Sequence, residues 1–234
     1  MVEGAKVLGE ALDAGVRVEA VYAAPGAPVG LLGRAAAAGA RVLDLAPGVI
    51  ERVAGTVTPQ PLLAVVHYVD VPLDRLRGAD LVVVCVDVRD PGNLGTVLRS
   101  AEGAGAGGVI CCHGSVDVYN PKAVRASAGS LFHVPVVAGG EPAEVLGRLA
   151  EWGLRRLGAA AHGGLDYAAE DLTAPTALVL GNEAAGLPSG MAGRGLLDAE
   201  VTIPMSGRTE SLNVGMAAAV LCFEAARQRR GGGR

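Results

Sequence analysis

A chain of 234 residues is long enough for one large or two small domains with cores of their own. Half of the residues are hydrophobic but only 3% are aromatic, so any core must be built mainly from Ala, Val and Leu, a composition that suits a parallel α/β sheet. The formal net charge of −4 argues against a protein that coats nucleic acid without selectivity, while leaving room for a local basic face.

In chain order, a helical pattern over Val2 to Leu12 leads into a strand from Arg17 to Ala23. A helix around Leu31 to Ala38, a strand from Arg41 to Leu45, a further short helix and a strand from Leu62 to Val66 follow. This reads as a small α/β unit over residues 1–70. Residues 71–79, with Pro72 and several charges, read as a linker.

From residue 80 onward strands and helices alternate. The strands are expected at Leu81–Val86, Gly108–Cys112, Val134–Val137, Arg156–Ala160, Ala177–Gly181 and Glu200–Ile203. Helices are expected from Asn93, near Lys122, around Ala143–Trp152 and from Asn213 to Arg230. The fold class is therefore α/β, a mostly parallel sheet with helices on both faces. Gly103, Gly105 and Gly108 satisfy a dinucleotide-binding pattern, but they follow a helix and precede a strand, which is the reverse of what that motif needs; a helix C-cap is the better reading.

No apolar run reaches the roughly 18 to 20 residues of a membrane span, and no charged start with an apolar signal core opens the chain, so a cytoplasmic protein is expected. Cys85, Cys111, Cys112 and Cys222 lack zinc-site spacing and read as reduced core residues, and the four histidines are scattered, so no metal is expected. Arg75, Arg77 and Arg89 cluster in sequence, as do Lys122 and Arg125, and each group is either a basic face or solvated surface.

Three segments carry chemistry. IPMSGRTESLNVGMAAAV at residues 203–220 runs from a strand end through a polar loop into an alanine-rich helix, with Ser211 and Asn213 either capping that helix or holding a polar ligand at its unpaired N–H groups. DPGNLGTVLRSAE at residues 90–102 places Asn93 at a helix cap and Arg99 in the second turn. LVLGNEAAGL at residues 178–187 is a buried strand ending in glycine, with Glu183 close behind.

Together and in this order the segments resemble the motifs of the TrmH/SpoU family of RNA 2′-O-ribose methyltransferases, knotted members of the SPOUT superfamily. The first motif is Asn93 to Glu102 and the second is Leu180, Gly181, Asn182, Glu183 and Gly186. The third is Ile203 to Gly207 with Glu210, Ser211, Leu212 and Asn213. The resemblance covers about residues 78–228 and implies a C-terminal trefoil knot over residues 80–234, preceded by a small RNA-binding domain. It further implies S-adenosylmethionine as cofactor, RNA as substrate and a homodimer.

By the same resemblance Leu180, Gly181, Ile203, Met205, Ser211 and Leu212 form the cofactor pocket. Arg99 is the catalytic residue, with Asn93, Glu183, Ser211 and Asn213 orienting it, the ribose and the cofactor. A guanidinium stays protonated and is a poor base, so Arg99 either acts on the 2′-hydroxyl or clamps a substrate phosphate. Glu183 alternatively pairs with a nearby arginine. The extra N-terminal domain favours ribosomal RNA as substrate; the alternatives are tRNA 2′-O-methylation and a non-catalytic RNA-binding protein on the same scaffold.

Overall fold

In the computed structural model, which describes residues 1–54 and 58–231, the chain forms two compact units. The first comprises residues 1–69 and 128–133, the second residues 70–127 and 134–234.

The first unit holds β1 (Val2–Glu3), α1 (Ala5–Asp13), β2 (Val18–Ala23), α2 (Val29–Ala37), β3 (Arg41–Asp44), α3 (Ile50–Val53) and β4 (Leu62–Val66). Its sheet runs β1-β4-β2-β3, with β4 antiparallel to both neighbours and β3 parallel to β2. Val2 was expected in a helix. It pairs instead with Ala64, and the helix starts only at Ala5, because a sheet edge offers Val2 ladder partners that helical periodicity cannot reveal.

The second unit holds β5 (Leu81–Cys85), α4 (Pro91–Gly103), β6 (Gly108–Cys111), α5 (Pro121–Ser127), β7 (Val136–Ala138) and α6 (Pro142–Glu151). These are followed by β8 (Arg155–Ala159), β9 (Leu165–Asp166), β10 (Thr176–Leu180), β11 (Ala199–Thr202) and α7 (Val214–Gly231). The sheet order is β7-β6-β5-β10-β8-β11-β9 and every strand pairing is parallel. The central strands β5 and β10 are buried along their whole length, as all-apolar runs between two helical layers should be. On one face Val82, Val84, Val86, Ile110 and Val179 pack with Val145, Leu146 and Leu149 of α6. Helix α7 packs against α4 and β10.

Residues 71–79, read as a linker, carry a 3-10 turn at Leu73–Leu76 whose Leu76 is buried in the second core. Gly108, at the start of β6, leaves room for it: a Cβ there would come within 2.4 Å of Leu76 Cδ2. The glycines of the dinucleotide-like pattern end α4, turn the chain at Gly105 (φ 76°) and open β6, so no phosphate loop exists there. No helix among the described residues is long and apolar enough to cross a membrane.

Candidate active site

The chain winds from β5 outward through β6 to β7, then returns to build β8, β10 and β11 on the other side of β5. The order therefore reverses at the β5/β10 border, and in open parallel sheets the crevice beyond the carboxyl ends at such a border is where ligands bind. The loop after β5 and the loop after β10 meet there.

Asp90 N-caps α4, its carboxylate accepting from Asn93 N at 2.8 Å, and Pro91 occupies the first turn, where a missing N–H costs nothing. The helix thus starts two residues earlier than Asn93. Glu183 reaches across from the β10 loop. It accepts from Arg89 N at 3.2 Å, Asp90 N at 2.9 Å and Asn93 Nδ2 at 3.1 Å. Burial pulls its carboxyl upward, but the Asn93 amide and the backbone N–H donors outweigh that and hold it below the ordinary carboxylate value. Asn93 Oδ1 in turn accepts from Asn213 Nδ2 at 2.7 Å. Asn213 Oδ1 caps α7 through Gly215 N at 2.8 Å and Met216 N at 3.3 Å. Glu183, Asn93 and Asn213 form one polar relay joining three loops.

Beside the relay lies a cavity of about 160 Å³. Its apolar walls include Val201, Ile203, Leu212, Val214 and Leu221, and its polar rim includes Asn182, Glu183 and Ser211. Of the residues expected in the cofactor pocket, Gly181, Ile203, Ser211 and Leu212 line this cavity. Leu180 and Met205 do not: Leu180 is a fully buried strand residue whose carbonyl accepts from Val86 N, and Met205 lies outside the lining. Glycine is required at position 181 by the protein's own backbone. A Cβ on it would meet backbone of its own chain, Gly186 C at 2.3 Å and Leu187 N at 2.4 Å.

Arg99 is exposed on the third turn of α4, not the second, because the helix begins at Pro91. It is six residues, roughly 9 Å of helix rise, beyond Asn93 and does not line the cavity. Glu183 pairs with backbone amides and Asn93 rather than through its side chain with an arginine. The sequence cluster Arg75, Arg77 and Arg89 is divided by the length of β5, which puts Arg75 and Arg77 near its start and Arg89 past its end.

Two further residues shape the site: Asn182, a residue of the second motif with no role assigned from sequence, and Asp87, which no motif contains. Asn182 Nδ2 donates to Asp87 O at 2.9 Å while its Oδ1 accepts from Ala184 N and Ala185 N at 3.0 Å each, so one carboxamide ties the β10 loop to the β5 loop. Asp87 adopts φ 58°, a left-handed conformation that no sequence pattern announces.

A parallel sheet with a crevice beyond the carboxyl ends of β8, β10 and β11, and a preorganised polar relay on its rim, defines the class: an α/β protein whose crevice is shaped to take a small molecule. The SpoU rRNA Methylase family model matches residues 80–223, and the MRM3-like substrate binding domain model matches residues 1–64. The chain is 41% identical over 181 residues to the 23S rRNA (uridine(2479)-2'-O)-methyltransferase of Streptomyces viridochromogenes, covering 74% of this chain and 62% of that one. It is 37% identical over 179 residues to the 23S rRNA (guanosine(2553)-2'-O)-methyltransferase RlmP of Bacillus subtilis, covering 76% and 70%. The crystal structure of the SpoU methyltransferase AviRb from Streptomyces viridochromogenes in complex with the cofactor AdoMet superposes with a TM-score of 0.86 at 33% identity, over 99% of this chain and 90% of that one. The chain belongs to the SpoU rRNA methylase family.

Proposed function

We propose that this protein methylates a ribose 2′-hydroxyl in ribosomal RNA, with S-adenosylmethionine as the methyl donor. The observation that carries the reading is the cavity at the carboxyl ends of β8, β10 and β11, bordered by the Glu183–Asn93–Asn213 relay. The names of the related 23S rRNA 2'-O-methyltransferases support ribosomal RNA over tRNA, and the AdoMet complex of the structural relative supports the cofactor.

The donor set suits that cofactor: aliphatic walls for an adenosyl group, and the Ser211 hydroxyl at the rim for its charged end. Gly181, Ile203, Ser211 and Leu212 would hold it. S-adenosylmethionine supplies a methyl group already activated on a sulfonium, so the protein's work is orientation. Glu183 has its carboxylate engaged by three donors and serves to fix the loops. Arg99, exposed and unpaired among the described residues, is assigned to the acceptor, either at the 2′-hydroxyl or on an adjacent phosphate. A trefoil-knotted C-terminal segment belongs to the same reading. So does a homodimer, for which Met216 and Phe223, 60% and 47% exposed on α7, offer an apolar face. Residues 1–70 are assigned to RNA recognition, a role supported by the substrate-binding model that matches residues 1–64, with residues 80–234 as the catalytic part.

The test is incubation of the protein with radiolabelled S-adenosylmethionine and transcribed 23S rRNA, followed by mapping of 2′-O-methylated positions. One labelled ribose is the expected result. Cofactor binding with no transfer to 23S rRNA or tRNA would support the non-catalytic alternative.

A further inference from the structure

We infer that Arg89 binds a backbone phosphate of the RNA, and that Asp87 and Gly114 hold it ready to do so. This rests on the reading of the substrate as RNA.

Arg89 is anchored at both ends of its own residue. Its backbone N donates to Glu183 Oε2 at 3.2 Å, and its Nε donates to Asp87 Oδ1 at 2.7 Å. Asp87 is itself forced into place. It takes a left-handed conformation at φ 58°, and Asn182 Nδ2 grips its carbonyl at 2.9 Å. Its carboxylate occupies space kept open by Gly114, where a Cβ would lie 3.3 Å from Asp87 Oδ1. Strained backbone of this kind persists where surrounding contacts over-determine it, and it concentrates at functional sites.

Stability does not explain the arrangement. The Arg89 side chain is 70% exposed, and an exposed ion pair between residues two apart contributes little. What the arrangement does is aim a guanidinium. Among the described residues only Nε is engaged, which leaves both terminal nitrogens of this 70% exposed side chain as the two-pronged donor that matches a phosphate. The usual alternative for an anion, the free N–H groups that lead into a helix, is closed here because Glu183 takes Arg89 N and Asp90 N. A phosphate at this edge has to be met by a side chain. Arg89 is positioned for it, in the loop that Asn182 and Glu183 join to the cavity rim. In a chain of net charge −4 such a contact must be local.

The test compares wild type, Arg89→Gln, Arg89→Lys and Asp87→Ala in binding transcribed 23S rRNA over a range of salt concentrations, with S-adenosylmethionine affinity and thermal unfolding measured in parallel. Arg89→Gln should weaken RNA binding about tenfold and lower the slope of log K against log salt by about one, the signature of one lost phosphate contact. Arg89→Lys should restore the slope and part of the affinity, because it returns the charge but not the fork. Asp87→Ala should keep the slope and lose affinity. Cofactor affinity and unfolding should stay at wild-type values for both Arg89 variants, and the KM for RNA should rise more than kcat falls. Arg89→Gln protein with wild-type RNA affinity and slope would overturn the inference. The predicted slope difference between wild type and Arg89→Gln, in a wild-type protein that transfers no methyl group, would overturn the enzymatic reading and leave the phosphate contact standing; no RNA binding by wild type would overturn both.

Discussion

Asn213 Nδ2 donates to Asn93 Oδ1 at 2.7 Å, across 120 residues of chain. The bond ties the first turn of α4 to the cap of α7, and because Asn93 Nδ2 is already given to Glu183, neither carboxamide can turn over without breaking a second contact.

Asn213→Ala and Asn213→Asp should therefore separate two roles. The alanine variant loses both the helix cap and the bridge and should be about 1–2 kcal/mol less stable in urea unfolding. The aspartate variant keeps an acceptor for Gly215 N and Met216 N, at the end of a helix where negative charge is favoured, but faces Asn93 Oδ1 with another acceptor. It should unfold near the wild-type midpoint while losing methyl transfer. Equal activity in the aspartate variant would show that the bridge is dispensable.

Glu183 makes stability depend on acid. Its folded carboxyl lies below its unfolded value, so its stabilisation is fully present above the ordinary carboxylate pKa, near 4.3, and is lost as pH falls through the lower folded value. Glu183→Gln should be less stable than wild type at neutral pH, with the difference shrinking below about pH 4. A second carboxylate behaves likewise: Glu224 is lowered to about 2, chiefly by the hydrogen bond from Arg227, so its contribution fades between its ordinary value and that one. Unfolding midpoints measured against pH for wild type, Glu183→Gln and Glu224→Gln check both.

Gly181→Val should fail through folding and not through loss of ligand volume. A Cβ would fall 2.3–2.5 Å from Gly186 and Leu187 backbone atoms, which cannot yield as a flexible side chain would. We expect a loss of at least about 2 kcal/mol. Ala217→Leu is the cleaner probe of the cavity, because Ala217 lines it from α7. It should abolish S-adenosylmethionine binding in calorimetry while circular dichroism stays unchanged; normal binding would move the cofactor elsewhere.

Arg99→Ala removes an exposed side chain with no ion pair among the described residues, so folding and cofactor affinity should match wild type. Methyl transfer should drop by a hundredfold, about 2.7 kcal/mol of transition-state stabilisation. An active variant would sink the assignment of Arg99 to the acceptor.

The four thiols should resist alkylation until the protein unfolds. All four cysteines are buried and free, and burial pushes Cys112 and Cys222 up to about 12, leaving almost no thiolate at neutral pH. Titration with a thiol reagent before and after denaturation measures this directly.

The alternation of apolar runs with helical stretches placed the six main strands of the second unit within two residues, because buried parallel strands have to be continuous apolar runs whatever surrounds them. The side-chain identities of the three motif segments likewise pointed to Asn93, Glu183 and Asn213. That these three share one relay was decided by the tertiary structure, since it is the parallel pairing of the strands that brings the loops after β5, β10 and β11 to one edge. The same is true of Val2, whose strand depends on Ala64, and of residues 128–133, which belong to the first unit although the chain enters and leaves them from the second. Gly181 shows the limit most clearly. Its place after a strand was readable, but the reason only glycine fits is the backbone of Gly186 and Leu187 folding back over it. Local sequence fixes periodicity and capping chemistry because those depend on neighbours along the chain; close approaches between distant segments depend on the packed whole.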